Sequence, residues 1–166
     1  MLLRIRRRLI LTLSACILLV SLSGCGFALR GRVNLPPQLD SVLVKGSDRD
    51  ATSLVRRALR SSGADIVDSD EDATAVLELI NSEFTRDVRT TDENGRATAY
   101  TLRYKVDYDV REPNGEEIQI NQSLSQTRFL AYDPLQELQS EEEAEFLQEE
   151  MQEEIILQIL RRLSRI

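Results

Sequence analysis

The chain has 166 residues, with 21 basic and 28 acidic side chains, a formal net charge of −7, no histidine and two cysteines. An acid excess of this size excludes binding of nucleic acid or other anionic polymers by general attraction, so any anionic ligand must meet a local basic patch. The missing histidine removes the most versatile general acid–base group, and the carboxylates lie in runs rather than isolated pairs, so no enzyme is expected.

The N-terminus reads as an address. Arg4, Arg6, Arg7 and Arg8 precede an apolar run from Leu9 to Val20, a leader pattern shorter than the roughly 20 residues of a membrane-spanning helix. The stretch Leu22-Ser23-Gly24-Cys25 then resembles a bacterial lipobox. The alternatives are an ordinary secretory leader with an incidental cysteine, or a retained anchor. The lipobox implies that residues 1–24 are a signal peptide and that Cys25 becomes the N-acylated, S-diacylglycerol-modified first residue. That covalent lipid is the only non-protein group expected, and it anchors the protein to a membrane. Gly26, not an aspartate, follows the cysteine, and resemblance to enterobacterial lipoprotein sorting then implies the outer membrane, periplasmic side, as the expected location. Removing the leader takes away four arginines and Cys16, leaving 142 residues with 17 basic against 28 acidic side chains and no thiol free for a disulfide.

Residues 25–40 read as a lipidated tether, punctuated by Gly26, Gly31, Pro36 and Pro37, and the folded domain is expected over 41–166. Val42-Leu43-Val44 predicts a buried strand. Asp48 or Asp50 can cap a helix carrying Ala51, Leu54, Val55, Ala58 and Leu59 on one side and Arg56, Arg57 and Arg60 on the other, closed by Gly63 with positive φ. Ile66-Val67 supplies a second strand, parallel to the first. The acidic run Asp68 to Asp72 lacks the spacing of a calcium loop and reads as a solvated turn. Ala75 to Val88 is β-rich with imperfect alternation, and Asn94-Gly95 is a turn. Six alternations follow: Tyr100, Leu102, Tyr104, Val106, Tyr108 and Val110 on a core face, and Thr101, Arg103, Lys105, Asp107, Asp109 and Arg111 on an open one. After Pro113-Asn114-Gly115 the next strand holds Ile118, Ile120 and Leu124, with a bulge expected between Leu124 and Phe129. Asp133-Pro134 opens the last helix, either continuous from Leu135 or a short turn followed by a helix from Glu141, with Leu147, Met151, Ile155 and Ile159 along its core stripe.

This order predicts an α+β fold: a two-layer α/β sandwich with a mixed sheet of four to five strands and two helices on one face, in the order βαβββα. Arg103 and Lys105, about 7 Å apart on the open face, and Arg89 and Arg96, flanking the turn, are candidate cations for an anionic head group. The competing expectation pairs them with Asp107, Asp109 or cross-strand acids.

The run Cys25-Gly26-Phe27-Ala28-Leu29-Arg30-Gly31 and Leu35-Pro36 resembles the opening of the LptE family of lipopolysaccharide-assembly lipoproteins, also called rare lipoprotein B. The likeness continues through Gly63, Asn94-Gly95 with Tyr100, Tyr132-Asp133-Pro134 and Ile159 to Leu163, with Ala28 departing from the histidine or larger residue common there. The resemblance implies a non-enzymatic outer-membrane lipoprotein that plugs the LptD β-barrel as a 1:1 heterodimer, helps it assemble and binds lipopolysaccharide through cations such as Arg89, Arg96, Arg103 and Lys105. It implies neither a metal nor a nucleic-acid partner. A lipoprotein activator of another envelope machine, such as a cell-wall synthase, shares the same address and fold class, but would need a longer tether.

Overall fold

The computed structural model describes residues 33–166. The leader, the lipobox with Cys25 and the tether as far as Arg32 lie outside the described residues. Val33 and Leu35 already pack against the core, and Leu39, in a 3-10 turn over Pro37–Leu39, is fully buried. The last part of the stretch expected as tether therefore belongs to the folded unit.

Strand β1 (Ser41–Gly46) leads into helix α1 (Arg49–Ser61). Asp48 caps the helix, its Oδ1 accepting from the amides of Asp50 at 2.9 Å and Ala51 at 3.1 Å. The helix buries Ala51, Val55 and Leu59 and ends where Gly63 takes a φ of +99°. Gly46 is dictated by crowding rather than by its dihedral: a Cβ there would lie 2.7 Å from Thr52 Oγ1 and 3.0 Å from Leu79 Cβ. Arg56 has a structural task, donating to the Val44 carbonyl at 3.0 Å. Strand β2 (Asp65–Val67) then pairs in parallel with β1, as expected.

The acidic turn that follows is used in local ties. Asp70 holds Lys45 at 2.8 Å, and Ser69 Oγ donates to Asp72 at 2.8 Å. Beyond it run three long strands, β3 (Ala75–Thr91), β4 (Ala97–Arg111) and β5 (Glu117–Ala131). The sheet order is β2-β1-β3-β4-β5, with β1 parallel to both neighbours and the remaining pairs antiparallel. All five strands expected from the sequence form one sheet, so the element order is βαββββα, one strand more than the abbreviated order βαβββα.

Two irregularities explain where the alternation pattern failed. On β3 the register slips between Leu79 and Asn81, so Ile80 stands unpaired and 54% exposed. Inward positions change there from Leu77 and Leu79 to Ser82 and Phe84. On β5 the slips lie opposite Tyr108 to Arg111, around Ile118 to Asn121, and Asn121 adopts a φ of +53°. The pairing from Leu124 to Leu130 is continuous, so no bulge lies between Leu124 and Phe129. Phe129 is simply an aromatic side chain on the open face, with Leu130 turned inward.

Asp133 caps a 3-10 turn over Pro134–Gln136, accepting from the Leu135 amide at 2.9 Å, and helix α2 (Glu137–Leu163) follows. The helix thus starts between the two alternatives drawn from the sequence, and Ser140 is a buried interior residue rather than a cap. Met151, Ile155, Ile159 and Leu163 from α2 join Val55 and Leu59 from α1 in one core with Leu102, Tyr104, Val106, Tyr108 and Val110. Both helices therefore cover one face of the sheet and leave the other open. No described helix is long and apolar enough to cross a membrane.

Candidate functional site

The open face is built by the odd-numbered residues of β4, because a pleated strand turns alternate side chains to opposite sides. Register sets what stands beside each one. Arg103 lies between Thr85 and Thr127, a neutral row, and Lys105 lies between Glu83 and Ser125. Arg103 is exposed and makes no ion pair among the described residues. Lys105 donates to Asp107 Oδ2 at 2.7 Å. That ammonium, with a further hydrogen bond from Ser123, holds the Asp107 carboxyl below the usual carboxylate range. The competing expectation, that these cations pair locally, therefore describes Lys105 but not Arg103.

Arg89 and Arg96 occupy the end of the sheet near the β3–β4 turn. A second slip on β3, between Val88 and Thr90, places Arg89 in a bulge. From there its guanidinium reaches across β4 and lies 4.0 Å from the ring centroid of Phe129 on β5. An aromatic face attracts a cation without neutralising it, so Arg89 keeps its full charge beside an apolar ring. Arg96 is more committed. Its amide donates to Asp92 Oδ1 at 2.9 Å, and its Nε lies 3.9 Å from Asp92 Oδ2. The Arg96 amide, followed by the Asn94 amide, lowers the Asp92 carboxyl from its ordinary value. The structure thus places Arg89 and Arg103 on one stretch of the open face, with Phe129 beside them. Arg96 locks the turn, and Lys105 is partly spoken for by Asp107.

Two further arrangements escaped the sequence reading. Asp109, nearly buried, accepts from the Asn121 amide at 2.7 Å and from Arg111 Nη2 at 2.8 Å, so one carboxylate satisfies the β5 bulge and holds an arginine. The signal available was an asparagine in a strand, a residue tolerant of positive φ. On the inner face, Arg86 lies 3.9 Å from the Tyr100 ring centroid and 5.6 Å from that of Tyr132, and the two rings meet edge to face at 5.3 Å. Arg86 Nη1 donates to both carboxylate oxygens of Glu141, at 2.8 and 2.9 Å, tying the start of α2 to the sheet. Further along the helix, Arg128 holds Glu154 at 2.6 Å, and Arg162 donates to Gln122 at 2.9 Å.

This arrangement offers cationic hydrogen-bond donors on a rigid, water-facing sheet, the chemistry for holding an anionic group. No cluster of three or more metal-ligating side chains occurs among the described residues.

Comparison with known proteins agrees with this architecture. The LptE family, described as lipopolysaccharide-assembly, matches residues 36–163. The LPS-assembly lipoprotein LptE of Yersinia enterocolitica is 34% identical over 161 residues, covering 95% of this chain and 76% of that protein. Among solved structures, lipoprotein B from Nitrosomonas europaea is similar with a TM-score of 0.72 at 27% identity, covering 84% of this chain and 90% of that one. Rare lipoprotein B from Shewanella oneidensis has a TM-score of 0.64 at 28% identity, covering 75% and 94%. With the family matched across nearly the whole described region and a relative aligned over almost the full chain, this protein belongs to the LptE family of lipopolysaccharide-assembly lipoproteins.

Proposed function

We propose that the chain acts at the outer membrane, anchored by acylated Cys25, as the 1:1 partner of an LptD β-barrel. It sits within the barrel lumen, supports barrel assembly and contacts lipopolysaccharide during delivery to the cell surface. The observation that carries this reading is the family match over residues 36–163. A stiff sheet with one hydrated, charged face suits a polar lumen, where side chains must remain solvated or paired. The lipopolysaccharide contact falls to Arg89, Arg96, Arg103 and Lys105, whose guanidinium and ammonium groups match phosphate oxygens. The covalent lipid on Cys25 is the sole non-protein group the role requires.

The experiment is affinity capture of the tagged, Cys25-acylated protein from detergent-solubilised envelopes, with mass spectrometry of what comes with it. A near-stoichiometric large β-barrel is expected. Recovery of a cell-wall synthase instead, or of no partner, overturns the reading. The ligand assignment has its own test, binding of purified lipopolysaccharide to charge-reversed variants. Arg103→Glu should weaken binding by about tenfold, and Lys105→Glu by less, because Lys105 already faces Asp107 at 2.7 Å. Unchanged affinity in both variants returns these residues to surface pairing.

A further inference from the structure

The sheet has two long stretches of free edge, and they are finished differently. β5 has no neighbour beyond β4, yet two of its carbonyls are taken by side chains of the same strand: Gln122 Nε2 donates to Ile120 at 3.0 Å and Arg128 Nη1 to Thr127 at 3.2 Å. β3 is paired with β1 only from Ala75 to Leu79, so from Asn81 to Thr91 one side of its backbone is open. The hydrogen bonds its side chains make there run to other side chains, Ser82 to Tyr104, Arg86 to Glu141 and Thr90 to Thr98, and among the described residues none covers the backbone. A row of unpaired amides and carbonyls is a template for another strand. Charges ordinarily deter such pairing, but Glu83, Asp87 and Arg89 are of both signs and make no ion pair among the described residues.

Their order is self-complementary in one register. Two antiparallel copies related by a two-fold axis at Arg86 place Glu83 opposite Arg89, Phe84 opposite Val88 and Thr85 opposite Asp87, each pair occurring twice. The first and last pairs fall on the open face, as an ion pair and a hydroxyl–carboxylate pair. The apolar pair falls on the inner face, where it covers Val88, now 57% exposed. Moving the axis to Thr85 sets Glu83 against Asp87, and moving it to Asp87 sets that carboxylate against its own copy. At the favoured axis the two Arg86 guanidiniums approach one another, but each already holds Glu141 at 2.8 Å. Arg89, at the bulge that ends the ladder, exchanges the Phe129 ring for a carboxylate. We propose that the free edge of β3, from Glu83 to Arg89, pairs antiparallel with the same edge of a second copy, joining two sheets across a two-fold axis at Arg86. This describes the chain free of the barrel and does not depend on the barrel reading.

The test mixes purified full-length chains in detergent, one carrying Thr85→Cys and a second, differently tagged, carrying Asp87→Cys, and oxidises them. The register brings these two positions face to face, so the disulfide between 85 and 87 should exceed the 85–85 and 87–87 products by about tenfold. Sedimentation velocity reads the charge order: Glu83→Arg and Arg89→Glu should each weaken association by about tenfold, and the double exchange should restore it. Melting temperatures should hold in all three, because both side chains are exposed. A chain that stays monomeric at millimolar concentration overturns the proposal, as do equal yields of the three disulfides. Association indifferent to the charge variants places the contact elsewhere and overturns it too. A photo-reactive group at position 85 that gives only barrel adducts in intact envelopes, with the purified chain monomeric, assigns this edge to the barrel instead.

Discussion

Where β1 and β2 flank β3, alongside Ala75 to Leu79, the sheet is five strands wide and both helices contribute to a continuous apolar core. Beyond Ile80 the same β3 continues from Asn81 to Thr91 with β4 on one side and no partner in β1. This second region is a three-stranded arm covered by the first half of α2, whose buried residues there are the small Ser140 and Ala144. The broad end is held by apolar burial. The arm depends more on directional contacts: Arg86 with Tyr100, Tyr132 and Glu141, and Arg128 with Glu150 and Glu154. Burial is nondirectional and is not weakened by ionic screening, whereas ion pairs and cation–π contacts are local and screened when exposed. One sheet is thus stabilised by different forces at its two ends, and the bulge at Ile80 lies where one regime gives way to the other.

The largest effect expected from this division is at the broad end. Ile155 is fully buried in the core, so Ile155→Ala should cost about 2–5 kcal/mol in chemical denaturation, and hydrogen-exchange protection should fall in every strand. A loss confined to the arm would reverse the assignment of the two regions. A smaller and local effect follows in the arm. Arg86→Ala removes the tyrosine and Glu141 contacts and should cost about 1–2 kcal/mol, since the ion pair is partly exposed. Exchange should quicken from Phe84 to Val88 and from Thr98 to Leu102 while Val42 to Val44 keep their protection; equal loss at both ends would show that the arm has no separate stability.

The smallest effect is electrostatic. Because Lys105 depresses the Asp107 carboxyl in the folded chain, the pair stabilises the fold at pH values above the ordinary carboxylate range, and this contribution disappears as pH falls through the lowered value. Between about pH 6 and about pH 3, Asp107→Asn should therefore flatten the pH dependence of stability slightly. An unchanged profile would mean that the pair is solvated out in solution.

The sequence revealed the parts of this molecule that repeat a period and concealed those that break one. Tyr100 to Val110 showed both faces of β4 directly, which placed Arg103 and Lys105 on the open side. The Lys105–Asp107 contact was also within reach, since residues two apart on a strand share a face. Arg89 over Phe129 was not, because it depends on a bulge at Arg89 and on register across two strand pairs. The bulge near Asn121 was concealed for a related reason. Ile118, Ile120 and Leu124 keep one parity in the sequence, yet the register slips between them, with Asp109 supplying the compensating hydrogen bond from a different strand. The Arg86 cluster unites β3, β4, the turn after β5 and α2, and no local pattern encodes a meeting of four segments.

The place of β1 in the sheet has a mechanical consequence. The first strand among the described residues is an interior one, in parallel register with β2 through Ser41, Val42 and Leu43 and with β3 from Val42 to Gly46. A tug on the N-terminal end, directed outward along the strand, cannot unzip it bond by bond as it would an edge strand. It loads both ladders in shear, so many backbone hydrogen bonds must yield together while Val42 and Val44 are drawn from the core. If Cys25 carries the lipid proposed above, its pull would enter the described fold at an interior strand rather than an edge one, making the anchored end a strong point of attachment rather than a place where unravelling begins.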